Sequence, residues 1–349
     1  MKDINVLMLG PSKTVKGGMT TVVENYFKYG LDKRVNLKYI ETINDKNIIL
    51  KVFKMIKGFF HFMAIVKKYD IIHIHMASRM STFRKGIYIR VAKKLNKKII
   101  LHIHGGEYKL FIEECNKKQK KYVFKTLNLA DKVIVLSEEW KNYFSNIVES
   151  EKIVILYNSI IIPEDFKKNV NTKKIIFLGR IEKGKGIYEL VEVIEKLIKV
   201  YPNTYLYIAG TGIEEHNIKN IIKRKKLEGN IKMLGWINEV QKQKYLKESS
   251  YIILPSYNEG MPMCLIEGMA YKNIAISTNV GGIPKIIDNL HNGLLIKAGN
   301  NKQLYETIEM LFHDKKLREK ISKNARKTIE EKFNINKNIL KLIDIYELK

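Results

Sequence analysis

Cysteine is scarce in this chain. Its two cysteines, Cys115 and Cys264, stand far apart and fit no spacing that is typical of metal ligands. We therefore expect two reduced thiols without a structural bridge, and we assign their sulfur atoms no chemistry. The first residues also lack the charged start, long apolar run and small-residue cleavage site of a signal peptide. This favours a cytoplasmic location.

Acidic residues are missing from the segment between Asp70 and Glu107. The basic residues in that segment are Arg79, Arg84, Lys85, Arg90, Lys93, Lys94, Lys97 and Lys98. The formal net charge of the whole chain is +27, which favours an anionic partner such as nucleic acid, anionic lipid or a phosphorylated substrate. A general bias toward lysine explains much of the net positive charge, but it does not explain why this segment has no acidic residue. We expect a basic surface on the first half.

The most apolar helical pattern, Asn47 to Lys68, is interrupted by charge. Lys51, Lys54 and Lys57 recur too regularly for the ~20 apolar residues that cross a bilayer. One interpretation is an amphipathic helix in a membrane interface, with its lysines toward anionic headgroups. The other is a core helix with a solvated lysine stripe. Its large apolar residues are Ile48, Ile49, Val52, Phe53, Ile56, Phe59, Phe60 and Met63.

Two familiar binding patterns are incomplete. Gly210-Thr211-Gly212 follows a strand, but Glu215 stands where a dinucleotide fingerprint has its third glycine, so we predict a simple turn. Two His-Ile-His triplets, 73–75 and 102–104, each place two imidazoles on one face of a strand. We predict no metal site, because no nearby acid or cysteine completes either triplet. For His75 a place in the core is favoured over one that lines a ligand site.

Strand-like runs alternate with longer helical patterns, which predicts an α/β fold with parallel, doubly wound sheets. The first series is Val6–Leu9, Ile71–His75, Ile99–His104, Lys132–Leu136 and Ile153–Leu156. A polar stretch, Glu164 to Lys173, precedes the second series. That series is Lys174–Leu178, Thr204–Ala209, Ile231–Leu234, Tyr251–Leu254, Ala275–Thr278 and Gly293–Ile296. We therefore expect a second sheet.

The sharpest chemical pattern is Glu259-Gly-Met-Pro-Met-Cys-Leu-Ile-Glu267, which places two carboxylates across a turn. A strand ends at Leu254 and a helix is predicted from Met263 to Tyr271, so both acids follow the carboxyl end of a strand. Open α/β sheets bind ligands there. Two glycine-rich segments accompany the pattern: Gly179 to Gly186 upstream and Gly281-Gly282-Ile283-Pro284 downstream.

This trio, in this order, resembles the carboxyl half of retaining GT-B glycosyltransferases of family 4. Gly17-Gly18, His104-Gly105 and Asn158 extend the resemblance over nearly the whole chain. The resemblance implies a GT-B fold: two facing Rossmann-like domains with parallel sheets and an interdomain cleft, the last helix crossing back to the first domain. We therefore expect an acceptor-side domain of residues 1–165 plus 335–349, and a nucleotide-sugar-binding domain of residues 166–334.

The resemblance also implies roles for individual residues. Arg180 and Lys185 would contact the donor diphosphate, and His104 would contact hydroxyl groups of the sugar. Glu259 would orient the sugar or stabilise developing positive charge, and Glu267 would accept hydrogen bonds from ribose hydroxyls. The remaining donor-binding positions are Gly17, Gly18, Gly260, Met261, Met263, Cys264, Gly281 and Gly282. Lys285 departs from the glutamate that is common in the family.

The resemblance implies a retaining glycosyltransferase, which moves a sugar from a nucleoside-diphosphate sugar to a saccharide acceptor. Among the donors, a UDP-sugar is favoured. A lipid-linked acceptor in bacterial surface polysaccharide or glycoconjugate synthesis suits the basic first domain, with peripheral attachment to the inner, anionic face of the cell membrane. Since no Asp-x-Asp triplet occurs, we expect no metal and no cofactor beyond the co-substrate. The alternatives are a GT-B-fold sugar-nucleotide epimerase and a non-catalytic scaffold that binds a membrane or nucleic acid. Nucleic acid is not expected as a partner, because no base-contacting or stacking motif accompanies the charge.

Overall fold

The computed structural model describes residues 4–15, 17–44 and 48–348. The chain divides into two compact units, Met1–Ile161 with Ile335–Lys349, and Ile162–Asn334. The first division falls after Ile161, where the sequence indicated a boundary after residue 165. Each unit contains one six-stranded parallel sheet with helices, so the prediction of two parallel α/β sheets is confirmed.

The first sheet has the strand order β2-β1-β3-β4-β5-β6. Its strands are β1 (Asn5–Gly10), β2 (Asn36–Glu41), β3 (Ile71–Met76), β4 (Lys98–Ile103), β5 (Lys132–Val135) and β6 (Ile153–Ile155). The second strand, β2, was not predicted. It lies at the edge of the sheet, and its sequence Asn-Leu-Lys-Tyr-Ile-Glu is polar because only one of its residues is fully buried.

Seven α-helices accompany this sheet among the described residues. They are α1 (Gly18–Lys28), α2 (Ile48–Ile65), α3 (Met80–Lys94), α4 (Tyr108–Glu114), α5 (Lys117–Asn128), α6 (Glu138–Phe144) and, from the end of the chain, α14 (Ile335–Glu347). The last helix is tied to the segment after β6, because Ile335 donates its N–H to the Ile160 carbonyl at 2.9 Å and Asn338 donates to the Tyr157 carbonyl at 2.7 Å. The expected tail ended at Lys349, which lies outside the described residues.

The second sheet has the order β12-β11-β10-β7-β8-β9. Its strands are β7 (Lys174–Leu178), β8 (Tyr205–Ala209), β9 (Ile231–Gly235), β10 (Tyr251–Leu254), β11 (Ile274–Thr278) and β12 (Gly293–Ile296). Its helices are α7 (Ile187–Val200), α8 (Glu215–Arg224), α9 (Glu239–Glu248), α10 (Met263–Ala270), α11 (Ile283–Ile286), α12 (Asn301–His313) and α13 (Lys315–Lys332).

The acid-free segment is less of a basic surface than its composition suggested. Lys85 is only 1 % exposed, so the expectation of a surface charge is wrong there. Lys93 pairs with Asp131 at 3.1 Å, and Arg79 pairs with Glu107 and Glu114. Acids that lie outside the segment in sequence are brought next to it by the fold. Local composition therefore overstated the free charge.

Helix α2 turns much of its apolar surface outward. Ile49, Phe53 and Phe60 are 76 %, 63 % and 67 % exposed, whereas Phe62 is buried. Val52, Ile56 and Met63 are also exposed. The interpretation as a core helix with an outward lysine stripe is therefore wrong. Asn47, the start of the predicted helix, lies outside the described residues. None of the described helices has the length and hydropathy to cross a membrane.

Candidate active site

The motif loops of the second unit meet where the order of its sheet reverses. From β7 the chain adds β8 and β9 on one side and then β10, β11 and β12 on the other. The loops after β7 and β10 therefore leave neighbouring strands at a topological switch point, where open α/β sheets bind ligands. The Gly179–Gly186 segment follows β7, and Glu259 follows β10.

Close backbone contacts hold the loop after β7 in place. Gly186, with φ of 68°, is the N-cap residue of α7, and a Cβ at this position would overlap the Pro255 carbonyl. Gly210 and Gly212 lie in the same way against the carbonyls of Gly179 and Ile181. Only glycine allows the two backbones to approach this closely. The predicted turn after β8 therefore packs directly against the loop after β7 and holds it in place.

Lys185 and Glu259 form an ion pair at the switch point. Lys185 Nζ lies 2.7 Å from Glu259 Oε1, and the two side chains are 20 % and 10 % exposed. Ser256 Oγ donates to the same carboxylate oxygen at 2.8 Å. The structure therefore brings together two residues to which the sequence gave separate roles, one toward phosphate and one toward sugar. Ser256 was missed, although it follows β10 within the same loop.

Arg180 lies on the loop after β7 but extends toward solvent. Its side chain is 62 % exposed, and its NH1 atom lies 2.9 Å from Oε1 of Glu182. Exposed pairs of this kind are weak, about 0–1 kcal/mol. The guanidinium is therefore free to exchange its carboxylate partner for another anion at little cost.

Glu267 is held by a lysine that the sequence did not reveal. Lys242 Nζ lies 2.6 Å from Glu267 Oε1 and 3.0 Å from Glu239 Oε2. Burial disfavours the charge on Lys242, but the two carboxylates outweigh it and raise its pKa. Asn238 and Gln241 form a capping box that begins α9, which places Lys242 in its first turn. No local signal links that turn to a glutamate 25 residues later.

The Gly281-Gly282 pair packs against the loop that carries Glu259. A Cβ on Gly281, whose φ is 52°, would overlap the Glu259 carbonyl oxygen, and one on Gly282 would overlap that of Gly260. The Gly282 N–H also points to the Glu259 carbonyl at 3.4 Å. Lys285, which follows in α11, is exposed.

The remaining donor positions surround the start of α10. Pro262 precedes the helix, and the first amides of a helix have no intrahelical partner, so those of Met263 and Cys264 suit an anionic or polar ligand. Met261 and Met263 are buried. Burial raises the pKa of the Cys264 thiol, with Glu259 and Glu267 adding to the shift, so this thiol is neutral at pH 7.

His104 and Gly17 belong to the first unit. His104 follows β4, is half-buried, and its Nε2 lies 2.8 Å from His75 Nδ1. Burial lowers the pKa of His104 to about 3, so its ring is neutral at pH 7. His75 is fully buried, as the core interpretation predicted. Gly17 precedes α1 with φ of 153°, and an added Cβ would meet no described atom within 4 Å. Its backbone conformation, rather than crowding, therefore favours glycine.

Two family models match consecutive parts of the chain. The one described as Glycosyltransferase Family 4 matches residues 38–162, and the one described as Glycosyl transferases group 1 matches residues 158–328. The loops after β4, β7, β10 and β11 fall within these ranges, whereas Gly17 lies outside them.

Curated relatives are similar over long stretches. An uncharacterized glycosyltransferase of Methanocaldococcus jannaschii is 27 % identical over 350 residues, covering 95 % of this chain and 94 % of the relative. The UDP-Gal:alpha-D-GlcNAc-diphosphoundecaprenol alpha-1,3-galactosyltransferase of Escherichia coli is 26 % identical over 332 residues, covering 88 % and 80 %. An uncharacterized glycosyltransferase of Haemophilus influenzae is 28 % identical, but the match covers 60 % of this chain and 59 % of the relative.

Solved structures share the fold. Sucrose-phosphate synthase from Thermosynechococcus elongatus has a TM-score of 0.83 at 16 % identity, covering 99 % of this chain and 98 % of that one. Anabaena HepE, in complex with UDP and glucose, has a TM-score of 0.80 at 15 % identity, covering 99 % and 100 %. The two parallel sheets and these neighbours show a GT-B fold. Together with the family matches, they show that the chain belongs to family 4 of the GT-B glycosyltransferases.

Proposed function

We propose that this glycosyltransferase moves a sugar from a UDP-sugar to a lipid-linked saccharide and retains the anomeric configuration. The observation that carries the proposal is the Lys185–Glu259 pair at the switch point of the second sheet. It places a cation suited to a diphosphate beside a carboxylate suited to a developing positive charge. The Escherichia coli relative, whose name specifies a UDP-sugar donor and a diphosphoundecaprenol-linked acceptor, supports the choice of substrates.

In the proposed mechanism the donor diphosphate draws Lys185 away from Glu259 and Arg180 away from Glu182. The bond between the anomeric carbon and the diphosphate oxygen breaks, and both cations stabilise the charge that the diphosphate gains. Glu259, released from its lysine, stabilises the oxocarbenium-like carbon. The acceptor hydroxyl attacks from the face that the diphosphate leaves, and its proton passes to the departing oxygen. Glu267 accepts hydrogen bonds from the ribose, and neutral His104 contacts sugar hydroxyls.

A screen for donor and acceptor tests this function directly. Radiolabelled sugar nucleotides are incubated with the protein and with membrane lipid extracts, and the products are separated into lipid and aqueous fractions. We expect label from a UDP-sugar in the lipid fraction, in an α-linkage if the donor is an α-anomer. A rearranged sugar nucleotide formed without any acceptor would instead identify an epimerase, and inverted product would refute retention.

Removal of magnesium and manganese should leave turnover in place. In our proposal Arg180, Lys185 and backbone amides meet the charge of the diphosphate, so no magnesium or manganese is needed there. Initial rates are measured after exhaustive treatment with chelator. Loss of activity that magnesium or manganese specifically restores would contradict the mechanism, whereas a modest stimulation would be compatible with faster product release.

We further propose that α2 attaches the protein to an anionic membrane surface. Its outward residues Ile49, Phe53, Ile56, Phe60 and Met63 form an apolar stripe, which we call the α2 stripe. Exposed Lys57, with Lys67 and Lys68 just beyond the helix, supplies positive charge near it. An apolar stripe with nearby lysines is complementary to an interface of acyl chains and anionic headgroups. This surface would bring the enzyme to a lipid-linked acceptor.

Vesicle sedimentation should show that the α2 stripe and the lysines act together. The double variant Phe53→Ser/Phe60→Ser should bind vesicles containing anionic lipid at least tenfold more weakly, since burial of one phenylalanine contributes about 1.5–3 kcal/mol. Neutralising Lys57, Lys67 and Lys68 should reduce binding by roughly 1 kcal/mol per lysine at low salt and remove the preference for anionic lipid. Val240→Ser, an exposed apolar residue of the second unit, is the control. Equal binding by all variants would rule out this surface.

A further inference from the structure

The two His-Ile-His triplets come together on one face of the first sheet. Strands β3 and β4 pair in parallel with His75 opposite His102. The rings of His73, His75, His102 and His104 form a stacked cluster, with centroids of neighbouring rings 4.1–5.5 Å apart. The sequence offered each triplet as half of a metal site without a third ligand nearby. Strand pairing supplies that ligand from the other triplet.

Three of these histidines have unused nitrogen atoms. His73, His75 and His102 are at most 1 % exposed, and one ligand nitrogen from each lies within 4.8 Å of the others. The Nε2 atoms of His73 and His75 and both ring nitrogens of His102 have no hydrogen-bond partner among the described residues. A buried polar atom without a partner costs about 1–3 kcal/mol, so three such side chains in one place call for an occupant.

The other nitrogens of His73 and His75 are already held. His73 Nδ1 shares a hydrogen bond of 2.6 Å with the Tyr346 hydroxyl, and His75 Nδ1 shares one of 2.8 Å with His104 Nε2. Metal-ligating histidines use this arrangement, in which an outer group fixes one nitrogen and the lone pair of the other faces the ion.

We propose that His73, His75 and His102 bind one divalent transition-metal ion, with zinc as the reference ion. Zinc–nitrogen distances of about 2.0–2.1 Å require ligand nitrogens roughly 3.4 Å apart in a tetrahedral site. The ligand nitrogens lie within 4.8 Å of one another, so they would have to move closer together when the ion binds. Neutral imidazole ligands select zinc, copper or nickel over magnesium and calcium, which prefer oxygen. The site is therefore chemically distinct from a divalent ion that would accompany a diphosphate.

The bound ion would also fix the hydrogen on His104. When the lone pair of His75 Nε2 is given to a metal, its Nδ1 carries the hydrogen and donates to His104 Nε2. His104 then carries its own hydrogen on Nδ1, where the neutral ring is a donor toward a sugar hydroxyl. In this way a buried ion would set the tautomer of a half-buried histidine one ring away. This consequence rests on the proposed function, whereas the metal site itself does not.

Metal content and thermal stability of the full chain test the site. The protein is unfolded with chelator, refolded with or without zinc, and passed over a desalting column. We expect one zinc per chain in the wild type and a higher Tm with zinc than without it. His102→Gln should lose bound zinc. Tyr346→Phe, which removes only the hydroxyl partner of His73, should lower the affinity for zinc about 10- to 100-fold. His216→Gln, an exposed histidine of α8, is the matched control and should bind as the wild type does.

Two outcomes would overturn the site. In one, the wild-type protein holds no zinc after refolding. In the other, the zinc content per chain is the same in His102→Gln, Tyr346→Phe and His216→Gln. The histidines would then be satisfied by water or by packing alone. If His102→Gln does not fold, the Tyr346→Phe measurement decides. Neither readout requires a sugar donor or acceptor, so failure of the metal site and failure of the transferase proposal are separable.

Discussion

The variant Lys185→Ala should lose about 2–4 kcal/mol of transition-state stabilisation, the effect of deleting one positioned electrostatic group. In kcat/KM this is about 30- to 1,000-fold, measured with the donor and acceptor that the screen identifies. The variant should also be less stable by about 1–3 kcal/mol, because Glu259 then keeps Ser256 as its one side-chain partner among the described residues while its side chain is 10 % exposed. Denaturant unfolding measures that second effect.

Arg180→Ala is the matched comparison for Lys185→Ala. Both substitutions remove a cation proposed to contact the diphosphate, so turnover should fall in both. Arg180 is 62 % exposed and its pair with Glu182 adds little stability, so its free energy of unfolding should stay close to that of the wild type. Near-normal turnover in both variants would defeat the diphosphate assignment. Lower stability of Lys185→Ala with normal turnover would show that the ion pair is only structural.

The second large effect is expected from Glu267→Gln, which should weaken donor binding about 10- to 150-fold. Hydrogen bonds to a charged group contribute about 1.5–3 kcal/mol, and the amide presents a donor where the ribose hydroxyls need an acceptor. Folding should remain near normal, because Lys242 keeps Glu239 at 3.0 Å. Donor titration by calorimetry, beside thermal unfolding, provides both values.

Glu239→Gln separates the ribose contact from the effect on the lysine. It makes the same chemical change beside the same Lys242, but Glu239 is 54 % exposed, and the Lys242–Glu267 pair stays in place. Donor affinity should therefore be unchanged. Equal affinities for the wild type and Glu267→Gln would remove Glu267 from the site, and equal losses in both variants would assign the effect to Lys242.

The sheets and the motif loops were predictable because their signals are local. Buried parallel strands such as Tyr251–Leu254 are continuous apolar runs, and all six strands of the second sheet were identified within a residue or so of their observed ends. The loops after β7 and β10 carry glycine and proline at fixed positions. Strand β2 escaped notice because an edge strand needs little apolar sequence.

The partners of the charged residues were not predictable, because they depend on side chains that are distant in sequence. Lys242 reaches Glu267 across 25 residues, and Lys185 reaches Glu259 across 74. The burial of Lys85 has the same origin, since the acid-free segment gave no sign of which lysine would face the interior. Pairing of the two histidine triplets required the register of β3 and β4. Composition describes total charge, but only tertiary packing decides which charges are free.

In the loop that carries Glu259, the path of the main chain and the contacts of the Glu259 side chain depend on different residues. The path of the main chain at residue 259 depends on Gly281 and Gly282, whose missing side chains let the backbones touch. The side chain at 259 contributes nothing to that fit and is directed instead to Lys185 and Ser256. A substitution at position 259 can therefore change the chemistry there while the two glycine contacts stay in place. A side chain at either glycine, by contrast, would overlap the carbonyl oxygen of Glu259 or Gly260 and displace the loop itself.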